Sequence, residues 1–337
     1  MSISFAGAKL KNRLVASSSP LTESLPRLLR CREAGFGAAI LKSAADYAKT
    51  GTGHGRKVVY IGDDYYADAS FEREILTAEE GLALFRGAAA LSGDMLLIPS
   101  VSASSLEPDE WYSVCRPFQD EGAVLIQLDF FYLGTLLHNS GFYQKLHRML
   151  AVLNGQLNCV VMPKLNPNFD PDTVCALLAD AGVQYVSLLD SMRQDLPPEY
   201  GLHQGTTSYF GGKQLPVTLG YLGAAVRHGL AACAGGGVTS PQDVKLLRGK
   251  GAELVQVASY ILKDGFSKVT ELLPSVSGAA LPGAALNSPF LEHNPWCDVE
   301  DGAVCEQCGA CCRNGISCAV GYGHQKTVHR KETSTVH

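Results

Sequence analysis

No apolar run in this chain is long enough to cross a bilayer, and neither sign of charge dominates it. A membrane-spanning helix needs about 20 consecutive apolar residues, whereas the runs here are short or interrupted. Lys and Arg number 28 against 33 Asp and Glu, for a net charge of -5, and the basic residues are scattered except near the C-terminus. That balance argues against a nucleic-acid surface, which needs a clustered basic face. The opening MSISFAGAKLKNR also lacks the apolar core of a secretory signal. These absences lead to the expectation of a soluble, cytoplasmic protein with no membrane or nucleic-acid partner.

What is present is enough apolar sequence, 46% of 337 residues, for one barrel-sized domain and a small appendage. Between Arg13 and Phe266, short β-branched runs alternate with amphipathic segments, the signature of βα units around a parallel sheet. Eight strand candidates occupy 13–17, 38–42, 95–101, 124–129, 159–165, 184–189, 229–234 and 253–258. The expected fold is therefore α/β, a TIM (β/α)8 barrel over 1–275, followed by a small C-terminal cysteine-rich metal-binding extension. A small-residue linker is placed at 276–296, the cysteine segment at 297–322 and a disordered polar tail at 323–337. Two long connections, 43–77 and 190–215, leave C-terminal strand ends and are candidate substrate loops or lids.

Residues 229–243, GLAACAGGGVTSPQD, bring a strand into three glycines and then a helix start. Gly235, Gly236 and Gly237 let the main chain approach an anion without a Cβ in the way. Ser240 and Pro241 read as N-cap and N1, with Asp243 completing a capping box. The next strand delivers Ala258 and Ser259 to a second helix start, so two adjacent strand ends face one phosphate. A glycine turn alone would carry no such reading.

Polar residues also mark strand ends that should otherwise be apolar: Ser17, Ser18, Lys42, Ser100, Gln127, Asp129, Lys164, Asp190 and Ser191. Lys42 and Lys164 matter most, because a lysine within a strand end costs desolvation unless it meets an anion or an acceptor-rich ligand. The alternative is a solvated terminus reaching water.

Eleven cysteines fall into two groups. Cys31, Cys115, Cys159, Cys175 and Cys233 lie singly in periodic segments and read as core. Cys305, Cys308 and Cys311 form C-x2-C-x2-C, with Cys312 and Cys318 after them and Cys297 before. That spacing points several thiolates at one metal centre. A 4Fe-4S cluster is the expected occupant, with structural zinc as the alternative and disulfides or a redox thiol pair behind it. Cys312, Cys318 and Cys297 compete for the fourth ligand position.

Five stretches in order resemble the dihydroorotate dehydrogenase superfamily, which includes the dihydropyrimidine dehydrogenases. They are FAGAKLKNRLVASSS, EAGFGAAILKSA, MPKLNPNFDPDTVCALLADAGVQYVSLLDS, FGG at 210–212 and CAGGGVTSPQDVKLLRGKGAELVQVASYILKDG, and they span roughly residues 3–275. The resemblance implies an FMN-binding barrel in which the flavin exchanges hydride with a pyrimidine ring. It would place Ala16 and Ser17 along the flavin ring, Lys42 at its edge and Lys164 beside its N1/C2 side, with Gln127 a further cofactor contact. Gly211, Gly212, Gly236, Gly237, Ala258 and Ser259 would hold the ribityl phosphate.

The likeness fades in the substrate half. Where the family carries Asn-x-Ser-Cys-Pro-Asn, this chain reads QLDFFYLGTLLHNSG, with Asp129 at the asparagine and Tyr132 at the cysteine. Asp190 and Ser191 replace an Asn-Ser pair. An ionised carboxylate only accepts hydrogen bonds, so the expected ligand is donor-rich or cationic and is not dihydroorotate. Tyr132, Asp129, Lys164 and Asp190 are the catalytic candidates, and His138 or Ser140 could move a proton. Alternatively, Phe130, Phe131 and Tyr132 form an aromatic wall. The expectation is an oxidoreductase that passes electrons from FMN to the cluster, leaving an electron-transfer partner protein and a homodimer open. Two competing readings are a flavin-binding scaffold or sensor whose cysteine tail docks a partner, and a flavin-free barrel lyase or synthase acting on a phosphorylated substrate.

Overall fold

A computed structural model describes residues 3–46, 58–61, 64–68, 75–130, 133, 136–137, 139–202 and 207–276. All eight expected strands are present, as Leu14–Ala16, Ala38–Ile40, Leu96–Ile98 continued by Ser100–Val101, Leu125–Asp129, Val160–Lys164, Tyr185–Leu188, Ala231–Gly235 and Leu254–Val257. They belong to one 11-stranded sheet whose pairings are all parallel. Pro99 interrupts the third strand because it has no N–H for the ladder. Its first part pairs with Ala38–Ile40 and its second with Leu125–Asp129. The sheet curls until Leu254–Val257 meets Leu14–Ala16, with Val255 opposite Leu14. With helices packed outside, the arrangement is that of an α/β barrel.

Side-chain alternation along each strand separates two cores. Leu14, Ile126, Leu128, Val161 and Val255 face outward and join the layer under the helices. Val15, Ile40, Ile98, Leu125, Met162 and Leu254 fill the interior near the strand starts. A hairpin that the sequence pattern does not reveal, Ile3–Phe5 with Ala8–Leu10, packs Phe5, Ala6 and Leu10 into that interior core. It plugs the barrel's N-terminal end, so the C-terminal strand ends form the open mouth.

The helix Pro171–Asp180 is capped at both ends. Asp170 accepts a hydrogen bond from the Thr173 N–H at 2.8 Å, opening Pro171–Asp180, which buries Val174, Cys175 and Leu178. Gly182, at φ 80°, takes the left-handed turn that ends it. The five singly placed cysteines are buried. Burial pushes the Cys159 and Cys175 thiols up to about 11 and about 12, and those of Cys31, Cys115 and Cys233 higher still.

The described parts of the two long connections include strands. Val58–Ile61, Asp64–Asp68, Met192–Arg193 and Thr207–Phe210 form a four-stranded antiparallel sheet, with Tyr65 opposite Phe210 and Ala67 opposite Ser208. The last described helix is Ser267–Val276. The linker, the cysteine segment and the tail lie outside the described residues, as do Tyr132 and His138. No helix among the described residues is long and apolar enough to cross a membrane.

A Cβ at Gly235 would fall 2.1 Å from the Gln256 carbonyl oxygen, so Gly235→Ala is expected to cost about 3 kcal/mol. By contrast, Gly155 is exposed near the end of the helix Phe142–Gln156, with nothing within 4 Å of the added atom. Gly155→Ala should be neutral or gain about 0.5–1 kcal/mol. Urea unfolding midpoints of the two variants check the contrast.

Candidate functional site

At the mouth, the inward positions change from apolar to polar within one step of the strand alternation. Ile98 is followed by Ser100, Leu125 by Gln127 and Asp129, Met162 by Lys164, Tyr185 by Ser187, and Leu254 by Gln256. All of these polar residues are at most 5% exposed. Buried polar groups on neighbouring strand ends must satisfy one another or a ligand.

Above them lies a cleft of about 920 Å³, counting its open mouth. Ser17, Lys42, Lys164, Asp190, Gly236, Gly237, Ala258 and Ser259, all anticipated from the sequence, share its lining. The four-stranded sheet forms the facing wall through Tyr65, Ala67, Ser208 and Phe210. Tyr65 and Phe210 stack with ring centroids 4.7 Å apart and planes at 11°. The cleft thus sets an aromatic wall opposite a polar floor.

Lys164 Nζ lies 3.1 Å from Asp190 Oδ2, and both side chains are nearly inaccessible. Asp190 is also held by the Ser191 N–H at 2.7 Å on Oδ1 and by Gln214 Nε2 at 2.5 Å on its carbonyl oxygen. The lysine therefore presents its charge already partnered. A buried pair gains little net stability, but breaking one half is costly.

The glycine triplet has two distinct reasons for its composition. Gly235 is needed where its strand meets Gln256, while Gly236 and Gly237 adopt φ values of 96° and 88°. A Cβ at Gly237 would meet the Leu215 nitrogen at 2.3 Å, and one at Gly236 would meet Gln214 Nε2 at 2.7 Å. Close packing against the start of the helix Leu215–Arg227 thus accounts for both, and both still line the cleft. The expected capping box differs in one bond. Ser240 does accept from the Asp243 N–H, but Asp243 Oδ2 takes the Thr239 N–H at 2.9 Å and the Ser240 hydroxyl at 2.9 Å. The reciprocal bond therefore falls one residue before the N-cap.

Other anticipated residues lie around the cleft and do not line it. Ala16 packs in the layer under the helices, and Gln127 and Asp129 sit beneath the floor. Gly211 abuts the facing wall, where a Cβ would fall 2.1 Å from Asp64 Oδ1, and Gly212 adjoins Thr239. Ser140 is exposed. Asp64 itself joins the wall to the barrel, accepting from Tyr209 OH at 2.7 Å and pairing with Lys213 Nζ at 3.0 Å. Burial and then the Asp64 hydrogen bond push the Tyr209 hydroxyl up, and the same carboxylate raises Lys213.

Four contributors escaped the sequence reading. Gln256 bears the same mark as Gln127, an amide at an inward strand position. Ser43 follows Lys42 and bonds to Asp129 at 2.6 Å. Tyr65 and Phe210 become neighbours only through a pairing between distant segments. Among the described residues, no group of three or more His, Cys, Asp or Glu could hold a metal ion. No family model matches the chain, and no curated protein matches it.

Asp190→Asn should destabilise the fold by about 3–5 kcal/mol, because it strands a buried lysine charge. The double change Lys164→Met with Asp190→Leu should cost much less than that. A double-mutant cycle by urea unfolding measures the coupling.

Proposed function

We propose that the protein is a flavin-dependent oxidoreductase on a TIM (β/α)8 barrel of the dihydroorotate dehydrogenase type. It exchanges hydride between FMN and a small cyclic or unsaturated compound other than dihydroorotate. The observation that carries the reading is the convergence of Ser17, Lys42, Lys164, Gly236, Gly237, Ala258 and Ser259, from separate strand ends, on one cleft. The donor set of the cleft supports such a cofactor. Gly236 and Gly237 line it beside Lys42 and Lys164, which supply cationic donors.

On this reading Gly236, Gly237, Ala258 and Ser259 hold the phosphate, and Ser17, Lys42 and Lys164 hold the ring system, with Ala16 reaching it through its backbone. Gly211 and Gly212 support the wall beside the phosphate, and Gln127 lies under the ring. Bound FMN supplies the capacity to take or give two electrons as hydride. The chain's own residues set the surroundings. Tyr65 and Phe210 shield the cleft from water, and the Lys164–Asp190 pair gives the floor both a donor and an acceptor. An ionised Asp190 favours a ligand that brings hydrogen-bond donors. Tyr132 is the proposed general acid.

The C-x2-C-x2-C stretch with Cys312 and Cys318 would carry a 4Fe-4S cluster, which exchanges electrons singly where a flavin can take them in pairs. An electron-transfer protein is then the partner to seek, with the cytoplasm as the compartment.

Anaerobic purification should give a yellow-brown protein that retains FMN and iron. Cys308→Ser should lose iron and the broad cluster absorbance while keeping the flavin bands. A colourless protein containing only zinc would overturn the proposal, and tight binding of a sugar phosphate without FMN would replace it with a lyase or synthase.

A further inference from the structure

A line of hydroxyls runs from the cleft wall to a buried carboxylate, and proton counting fixes its direction. Ser43 Oγ lies 2.6 Å from Asp129 Oδ2, 2.9 Å from Ser100 Oγ and 3.2 Å from Ser18 Oγ. Gln127 Nε2 lies 2.9 Å from Ser100 Oγ. An ionised carboxylate only accepts, so with Asp129 ionised the single proton of Ser43 is committed to it. Ser43 is left with lone pairs, and Ser18 and Ser100 must both donate into it. Ser100, its own proton spent, must accept from the Gln127 amide nitrogen. That orientation turns Gln127 Oε1 away, and this buried oxygen has no partner among the described residues. The orphaned acceptor marks one end of a consistently polarised network. At the other end, Ser18 is half-buried on the cleft wall and offers a ligand lone pairs but no proton.

We infer that Ser18 is the proton-accepting contact of the cleft and that Asp129, reached through Ser43, stores the proton. The ligand presents an N–H or O–H at Ser18. That bond breaks and its proton joins Ser18 Oγ, while the Ser18 proton passes to Ser43 Oγ and the Ser43 proton to Asp129 Oδ2. The ligand becomes more negative by one charge, Asp129 becomes neutral, and each serine ends as a hydroxyl. No oxidant or reductant takes part. Among the described residues, charged groups near Asp129 include Lys164, its register partner on the next strand, and Asp190, paired to that lysine, while Lys42 precedes Ser43 in the chain. Ser102 Oγ donates to the Asp129 carbonyl at 3.2 Å.

This inference rests on the cleft being the ligand site of the proposed oxidoreductase. Its test reads a titration and not flavin or turnover, so either idea can fail without the other. Ser18→Cys converts the end of the line to a thiol, followed by iodoacetamide alkylation across the alkaline range, with position 18 located by peptide mass spectrometry. Ser43 gives a thiolate there no donor while Asp129 is ionised. The thiol should therefore titrate at least about one pH unit above an ordinary cysteine, making alkylation near neutrality about tenfold slower. Adding either Ser43→Ala or Asp129→Asn should restore the ordinary value, whereas adding Ser43→Thr, which keeps the hydroxyl, should not. An ordinary titration in Ser18→Cys alone overturns the inference. So does restoration by Asp129→Asn but not by Ser43→Ala, which would show a through-space charge without a relay.

Discussion

The mouth of the barrel depends on one buried amide. Gln256 sits at the inward position of the last strand, where its Oε1 accepts from Ser17 Oγ at 2.8 Å. Its Nε2 lies 2.9 Å from Ser187 Oγ, 2.6 Å from the Leu188 carbonyl and 3.2 Å from the Cys233 carbonyl. A single side chain thereby ties together the ends of the first, sixth, seventh and eighth strands, across the seam where the sheet returns to its start. An amide buried without partners costs free energy, whereas one saturated from several elements fixes their relative positions. Gly235 follows from this arrangement, since the space for its Cβ is already filled by Gln256.

The opposite half of the floor is organised differently. Gln127 occupies the corresponding inward position on the fourth strand, but only its nitrogen is satisfied, by Ser100. Both glutamines are buried, with the same donors and acceptors, and their surroundings differ in the carboxylate that Asp129 adds. That charge draws the neighbouring hydroxyl protons toward itself and leaves acceptors at both ends of the network. One half of the floor is closed as structure. The other ends below in the buried Gln127 oxygen and reaches the cleft only at Ser18.

The eight strands were legible because a parallel sheet buried on both faces leaves continuous short apolar runs, and the inward polar residues at their ends broke that pattern visibly. Lys164, Asp190 and the glycines could be placed on one mouth by the same reasoning. The sheet formed by Asp64–Asp68 and Thr207–Phe210 could not, because its register joins segments about 140 residues apart that have no local partner signal. Ser43 was hidden for another reason. Strand alternation past Ile40 would set Lys42 and Ser43 on opposite sides, but the strand ends there and both reach the mouth. The Asp243 carboxylate shows a similar limit on motif spacing. The S-x-x-D pattern fixes which residues meet at the helix start, but not which N–H the carboxylate takes.

The two walls of the cleft make opposite demands on whatever lies between them. Tyr65 and Phe210 offer a flat apolar face, which favours a planar group and displaces water. The floor offers a partnered lysine and carboxylate, a second lysine and serine oxygens, which favour a polar edge. Displacing water from such a space strengthens each polar contact on the floor, because the effective dielectric falls. The wall is fastened to the barrel through Asp64, Tyr209 and Lys213, next to the Gln214 that holds the Asp190 carbonyl. The apolar wall and the ionic floor are consequently joined through consecutive residues of one turn, and a shift of one would be felt by the other.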